Sequence, residues 1–498
     1  MSLLGITGRR WIPLLLVGYA YLYFATCGRM SLSSLALEHK ATEGYQLLTE
    51  GFTMGRLGLS IDPDPKLVAM ADPYDPSTHY LVPIWDTCYY KGRFYLMHGP
   101  LPVLLFYLPV RLLTGQYANA RLVMLFFGCL NFLFLYALLL RIKDQHFKGS
   151  SELVVLLGGL SIGVGNLVLA NMVRDDFYFT CLTSSAGVLA VGFYALYRAL
   201  EGGPLASRWM AGAALGIAAA ALGRPNMALG SLLFVAVTSL WAGRELAQGR
   251  VSPTERRSLL TAIWAPSVAI GLLIAGYNFL RFGHPLEFGI RYMMTSIRMS
   301  DSGFLNLHRA LQNIAFNLKV DFLQRFVVQN RFPFVRASLA PLFQVSLDPY
   351  YFEDNIGFFT LWPSAWLLIL LPAALRRWLG EARFEQRAER GRLGFFVGLM
   401  GAMALLQIVL VLSLSTNTFR YQTDFASYAL VLLAVTVLLL MGQGGPSRWK
   451  MLLGTFYEVG AVYGVIISVN YAFCSWHCLF AGKVPELQHF LDSLAARF

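Results

Sequence analysis

Charge is what this sequence has least of. Asp, Glu, Lys and Arg make up 14% of its 498 residues, against 56% hydrophobic residues and a mean hydropathy of +0.54. A chain so poor in charge is not a soluble enzyme, and it belongs with polytopic membrane proteins. No soluble basic domain is present, which excludes nucleic acid as a partner. Fixed-period repeats and low-complexity tracts are lacking too, so solenoids and disordered arms are excluded. Cysteine is scarce, six in all. Cys129 and Cys181 fall inside hydrophobic runs, where Cys is a small apolar filler. Cys27, Cys88, Cys474 and Cys478 fall between runs, and their pairing stays open. The Cys474-Ser-Trp-His-Cys478 cluster offers too few ligands for a metal site.

What is abundant is hydrophobic sequence, in runs long enough to cross roughly 30 Å of hydrocarbon. We read about eleven spans on that criterion. They lie near 11–28, 120–140, 152–171, 180–198, 209–223, 226–242, 261–280, 357–375, 394–414, 425–441 and 452–472. The pair 209–223 and 226–242 is short enough for a tight hairpin. The run 100–113 holds three prolines and reads as a half-buried juxtamembrane helix. The expected fold is therefore an all-α polytopic membrane protein, one transmembrane domain over 1–498. Two large extracytoplasmic excursions interrupt it, at 28–119 and 281–356.

Basic residues set the orientation. Arg9 and Arg10 precede the first run and place the N-terminus in the cytoplasm. The same side receives Arg141, Lys143 and Lys148; Arg244, Arg250, Arg256 and Arg257; Arg376, Arg377, Arg383, Arg387, Arg390 and Arg392; and Arg448 with Lys450. The first run lacks a small-x-small cleavage site and reads as a retained anchor. The expected location is the inner (cytoplasmic) cell membrane, with the working face extracytoplasmic.

In the first excursion, 41–54 has helical spacing and ends at Gly55. Asp62-Pro-Asp-Pro65 and Asp72-Pro-Tyr-Asp-Pro76 read as irregular turns, because proline excludes the helical conformation from the residue before it. In the second excursion, 305–328 reads as an amphipathic interfacial helix with Leu307, Leu311, Ile314, Leu318 and Phe322 in one stripe. This excursion is basic, with Arg281, Arg291, Arg298, Arg309, Lys319, Arg325, Arg331 and Arg336. Basic residues on that side run against the topological bias. Membrane lipid headgroups or a phosphate-linked substrate would each explain them.

The candidate chemistry lies in a few strings. Asp86, in Trp85-Asp-Thr-Cys-Tyr-Tyr-Lys-Gly-Arg-Phe-Tyr95, is a carboxylate among aromatic residues, as a proton acceptor beside a stacked sugar would need. Tyr90 and Arg93 belong to the same substrate group. The plainer reading of Asp86 is a loop acid paired with Lys91 or Arg93. Glu43 is a second candidate base, or simply a helix N-terminal acid. Arg174-Asp175-Asp176 would position a sugar or bind a divalent metal, or be an ordinary charged loop.

Arg224-Pro225-Asn226 interrupts a run of small residues. An arginine at membrane depth is a functional candidate by default, and its planar fork suits a phosphate. Arg281, Glu287 and Arg291 crowd the string 277–292, where the two arginines would meet a phosphate and Glu287 would orient one of them. Arg420 and Asp424 stand four apart and read as an ion pair at the start of a span.

The order of these elements resembles the GT-C membrane glycosyltransferases, which include the protein O-mannosyltransferases and the bacterial enzymes that move aminoarabinose to lipid A. Met97-His-Gly-Pro-Leu-Pro102, Leu108-Pro109 and Gly115-x5-Arg121 resemble the passage from first loop to second span in that family. The strings 277–292, 72–76 and 86–95, with Arg224-Pro225 and Arg420-Tyr421, resemble a group of uncharacterised bacterial polytopic membrane proteins. The resemblance implies inverting transfer of a sugar from a polyprenyl-phosphate donor to a glycan, lipid or protein acceptor. It implies Asp86 or Glu43 as base and the arginines as phosphate ligands. It names no certain cofactor and leaves a divalent metal open. The acidic pair those families carry just after the first span is replaced here by Glu38 and Glu43. The alternative is a transporter or flippase of an anionic lipid-linked sugar. It would use the same arginines and place charges within several spans, where this sequence has almost none.

Overall fold

A backbone immersed in hydrocarbon must satisfy its own polar groups, and helices do so locally. The computed structural model describes residues 8–174, 176–295, 307–338, 351–353, 355–382, 386–414, 416–442, 447–478, 480 and 484–495, and they are mostly helical. Asp175, Arg298, Arg383 and the first two residues, 305–306, of the expected amphipathic helix lie outside them, as does the side chain of Cys478.

The chain opens with α1 (Trp11–Ala25), followed by α2 (Gly44–Thr53), α3 (Pro65–Val68) and a hairpin of β1 (Cys88–Tyr90) and β2 (Arg93–Tyr95). Then come α4 (Leu108–Thr114), α5 (Ala120–His146), α6 (Glu152–Gly165), α7 (Val168–Met172), α8 (Phe177–Leu200), α9 (Ala206–Ala220), α10 (Met227–Ala247) and α11 (Pro253–Phe282). The second half holds α12 (Leu307–Leu323), β3 (Phe326–Val328), β4 (Val335–Ala337), β5 (Tyr351–Phe352), α13 (Phe358–Leu361), α14 (Leu371–Gly380) and α15 (Arg387–Leu412). It closes with β6 (Thr416–Asn417), α16 (Ala426–Gly442), α17 (Arg448–Cys478) and α18 (Pro485–Ala495).

Among the described residues seven helical segments are long and apolar enough to cross a membrane: α5, the kinked α6–α7 pair, α8, α10, α11, α15 and α17. Helices α1, α9 and α16 occupy three further expected spans but are only 15, 15 and 17 residues long. The protein is thus an all-α polytopic membrane protein. The expected 357–375 span is not one helix. It breaks into α13, a 3-10 turn over Pro363–Leu370, and α14, because Pro363 and Pro372 each remove a backbone donor.

Ion pairs fix which helix ends share a face. Arg10 at the start of α1 donates to both oxygens of Asp144 near the end of α5, each at 2.7 Å, and to Glu152 at the start of α6 at 3.0 Å. Helix α8 is central, packed on α5 and α9. At the opposite end lie the first turn of α8, the α9–α10 turn and the 3-10 turn Phe419–Asp424 that leads into α16. That end also receives the first loop.

The loop itself is tightly specified. Helix α2 ends before Gly55, whose φ of +72° a residue with a side chain would resist. Asp72 and Asp75 accept from the amides of Tyr74 (3.1 Å) and Ser77 (2.8 Å), which makes them turn formers. In the second excursion, 326–328 is strand rather than the end of a helix. Its valines pair with Val335–Ala337. Helix α12 faces the other way from a soluble amphipathic helix: Leu311 and Leu318 are exposed, while Asn313, Asn317 and Asp321 are buried. Lipid is the apolar solvent here, so the polar stripe turns inward.

Candidate functional site

The site is built on the first turn of α8. Asp176 caps that helix, accepting from the Tyr178 amide at 3.0 Å. The cap aims the Tyr178 hydroxyl at the first loop, where it donates to Asp86 Oδ2 at 2.5 Å and to the Trp85 carbonyl at 3.2 Å. Asp86 stands in the left-handed region, φ +57°, at the entry to the β1–β2 hairpin, and its amide donates to the Met294 carbonyl at 3.2 Å. A non-glycine residue in that conformation is held there by its surroundings. Asp86 does not pair with Lys91 or Arg93; Tyr178 is its partner.

Over the other face of the Tyr178 ring lies Arg420, 4.7 Å from its centroid. Phe179 and Tyr421 are each 5.9 Å from the same guanidinium. Among the described residues Arg420 makes no hydrogen bond or ion pair, so a half-buried cation is held by ring faces and by the more distant charges of Glu353 and Asp176. The expected pairing of Arg420 with Asp424 does not form. Asp424 instead accepts from Arg224 at 2.6 Å and from Asn226 at 2.9 Å, because the 3-10 turn Phe419–Asp424 rotates the two side chains apart. Arg224 is therefore already neutralised, deep in the protein.

Arg174 is likewise committed, to Asp176 at 2.6 Å and to Glu353 at 3.6 Å. Burial pushes the Asp176 carboxyl upward, against the pull of Arg174 and Arg420. Among the described residues no three His, Cys, Asp or Glu side chains gather as a metal-ligand set.

Sequence reading missed His98 as a site residue. Gly99 lets its loop dock on the Arg224 turn, since a Cβ there would lie 1.9 Å from the Leu222 carbonyl oxygen. Gly99 and Leu101 amides donate to the carbonyls of Gly223 (3.3 Å) and Leu222 (3.2 Å). His98, 2% exposed, meets Phe177 and Tyr178 at 5.9 Å, and its Nδ1 is buried without a partner. Burial, with Arg224 and Arg420 nearby, holds its pKa well below the usual imidazole value, so it is neutral. The Met97-His-Gly-Pro string was the available signal.

The remaining candidates have partners of their own, although Arg281 lines a small pocket with Gly99, Leu222 and Pro225. Glu43 caps α2 in a capping box with Gln46 and accepts from the Tyr107 hydroxyl at 2.7 Å. Arg281 is buried and donates to the Leu96 carbonyl at 2.8 Å and to Asn278 at 2.7 Å, stacked 4.0 Å from Tyr277. Arg291 is exposed and 3.8 Å from Glu287, so the two arginines of that string do not converge. Tyr90 packs on Tyr292 at 4.5 Å and Phe282 at 5.7 Å, with Lys91 above it; Arg93 is exposed on β2. Cys27, Cys88, Cys129, Cys181 and Cys474 are free thiols. A cavity of about 350 Å³ sits at the far end of the helices, beside His146, Tyr197 and Glu389, away from Asp86.

No family model matches the chain, and no curated protein matches it. Two solved structures are similar. One is ArnT from Cupriavidus metallidurans bound to undecaprenyl phosphate, at 13% identity and a TM-score of 0.45, covering 94% of this chain and 78% of that one. The other is the archaeal oligosaccharyltransferase AglB from Archaeoglobus fulgidus, in complex with an inhibitory peptide and a dolichol-phosphate. It matches at 12% identity and a TM-score of 0.38, covering 92% of this chain and 55% of that one.

Proposed function

We propose that this chain is a membrane glycosyltransferase that moves a sugar from a polyprenyl-phosphate donor to an extracytoplasmic acceptor with inversion. The observation that carries the reading is Tyr178, which joins a carboxylate at its hydroxyl to an uncommitted arginine at its ring. Asp86 takes the proton of the acceptor hydroxyl as that oxygen attacks the anomeric carbon. The bond from carbon to the phosphate oxygen breaks on the opposite face, and its electron pair leaves with the polyprenyl phosphate. Arg420 stabilises the charge that develops there. Tyr178 orients Asp86, and the exposed Trp85 beside it offers a ring face for a sugar.

Glu43, Arg281 and Arg291 have no part in this step. Arg224 acts through Asp424, which anchors the turn bearing Arg420. The test is Asp86→Asn in membranes carrying the protein, following label from a polyprenyl-phosphate sugar into acceptor. Transfer falls by about two orders of magnitude or more, as loss of a general base requires, while polyprenyl phosphate still binds. Transfer at the unaltered rate rules out Asp86 as base. Movement of the lipid-linked sugar across the bilayer without transfer favours the carrier instead.

A further inference from the structure

The turn that carries Arg420 is held from outside itself. Asp321 on α12, 1% exposed, accepts at one oxygen from the side-chain amides of Asn417 (2.8 Å) and Asn355 (3.1 Å). Asn355 also donates to Asn417 Oδ1 at 2.7 Å. Gln422, inside the turn, donates to the Ile356 carbonyl at 2.7 Å and to Asn355 Oδ1 at 3.1 Å. Asn355, Asn417 and Gln422 are also buried. So three stretches far apart in sequence meet in one polar cluster.

The backbone follows the same plan. Residues 351–352 pair in parallel with 416–417, and the Glu353 amide donates to the Asn417 carbonyl at 2.8 Å. Gly357 donates to the Gln324 carbonyl at 2.9 Å, and a Cβ on it would lie 2.4 Å from the Phe322 backbone, so only glycine allows this approach. One and two turns earlier on α12, Asn317 and Asn313 donate to the carbonyls of Leu412 (2.9 Å), Leu414 (2.8 Å) and Ser413 (3.0 Å). These carbonyls close α15, and a helix end leaves such groups without backbone partners. The buried polar face of α12 thus holds the 412–424 segment, while Phe322 packs on Phe358 and Phe359.

We propose that Asp321, acting through Asn355, Asn417 and Gln422, is the positioning residue that sets Arg420 over Tyr178. The inference rests on the reading of Arg420 as the phosphate ligand. Asn417 precedes Arg420 by three residues and Gln422 follows it by two, so both flanks of the arginine are tied to one carboxyl oxygen or its ligands. The same cluster registers the opposite wall, because Glu353, two residues before Asn355, reaches Arg174. Among the described residues no carboxylate bonds Arg420, although the charge of Glu353 acts on it. Its direction is therefore set by the turn, and the turn by Asp321. Shared bonds in a buried polar network favour one geometry, and removal of the common acceptor strands the Asn417 amide and costs Asn355 one of its two acceptors.

The experiment uses the full chain in lipid nanodiscs, titrated with undecaprenyl phosphate, in four forms: unaltered, Arg420→Ala, Asp321→Leu and Asp321→Asn. Arg420→Ala and Asp321→Leu each weaken binding by about tenfold or more, the effect of one lost charge-assisted contact. Asp321→Asn keeps an acceptor oxygen in place and restores affinity to within about threefold. Should Asp321→Leu fail to assemble, Asn355→Ala takes its place with the same expectation. If Arg420→Ala weakens binding while Asp321→Leu or Asn355→Ala binds normally, the positioning role is overturned and the phosphate reading stands. If Asp321→Asn is as damaging as Asp321→Leu, a carboxylate charge rather than a shared acceptor is at work, which also overturns it. Normal binding by Arg420→Ala overturns the phosphate reading itself.

Discussion

Two arginine-bearing strings, Tyr277–Tyr292 and Arg420–Asp424, look alike on paper and behave oppositely. Each sets arginine among aromatic residues and an acid at the end of a hydrophobic run. In the first, Arg281 is consumed by a carbonyl and an asparagine of its own neighbourhood, and Arg291 faces solvent. In the second, Arg420 keeps all its hydrogen-bonding capacity among the described residues, since the acid four residues on belongs to Arg224. What marks a site is an ionic group whose partners are missing, and a sequence does not show partners. Tight bonding reads as structure, and a held but unbonded cation reads as readiness for an anion.

The sharpest way to break this contrast is through the support of the Arg420 turn. Burial lifts the Asp321 carboxyl to about 7, with the amides of Asn417 and Asn355 pulling the other way. In the unfolded chain an Asp titrates near 3.9. Folding therefore takes up a proton at this group between those values, so its own contribution to stability is greatest below about pH 4 and is lost as pH rises toward 7, by a few kcal/mol in total. The melting difference between the purified protein and Asp321→Asn across that range shows it, with the unaltered protein losing stability relative to the variant as pH rises. A melting curve with the opposite slope for this residue removes the premise that its neutral form is preferred.

A second difference should appear in ligand binding. Arg420→Ala loses about tenfold or more in polyprenyl-phosphate affinity, with melting little changed, because no protein group is left unsatisfied. Arg281→Met does the reverse. It strands the Leu96 carbonyl and Asn278, lowers stability by about 1–3 kcal/mol, and leaves lipid-phosphate binding intact. Exchange of these two phenotypes would invert the assignment. Arg291→Ala is the mildest of the series. Its 3.8 Å contact with Glu287 is exposed, so melting shifts by less than about 0.5 kcal/mol.

Much of the fold was legible from periodicity. Runs at 120–140, 180–198, 226–242, 261–280, 394–414 and 452–472 all became helices long enough to cross, because hydrophobic length is a direct demand of the bilayer. The 357–375 run misled, since its average hydropathy hides two prolines that matter to the backbone. The outward-facing stripe of α12 was visible, but whether an apolar stripe meets protein or lipid depends on what lies beside it.

Within the candidate site, residue type pointed to Asp86, Arg174, Asp176, Arg224 and Arg420, and the structure brings these to one end of the helix bundle. It gives Glu43 and Arg281 bonding partners of their own and leaves Arg291 exposed. His98 escaped notice because a lone histidine before glycine carries no pattern, and its neutral, unpartnered state arises only from burial beside two arginines.

The sequence by itself determined that this protein is a polytopic helical membrane protein with acid- and aromatic-rich excursions between its apolar runs. Composition and run length suffice for that, because solvent sorting acts on each segment separately. Only the tertiary structure decided which acid and which arginine face each other. Asp424 chose Arg224 over the arginine four residues away, Tyr178 joined Asp86 to Arg420 across the gap between loop and bundle, and Asp321 tied the arrangement together. Those choices depend on distances of a few ångströms between segments far apart in the chain, where Coulomb and hydrogen-bond energies are decided.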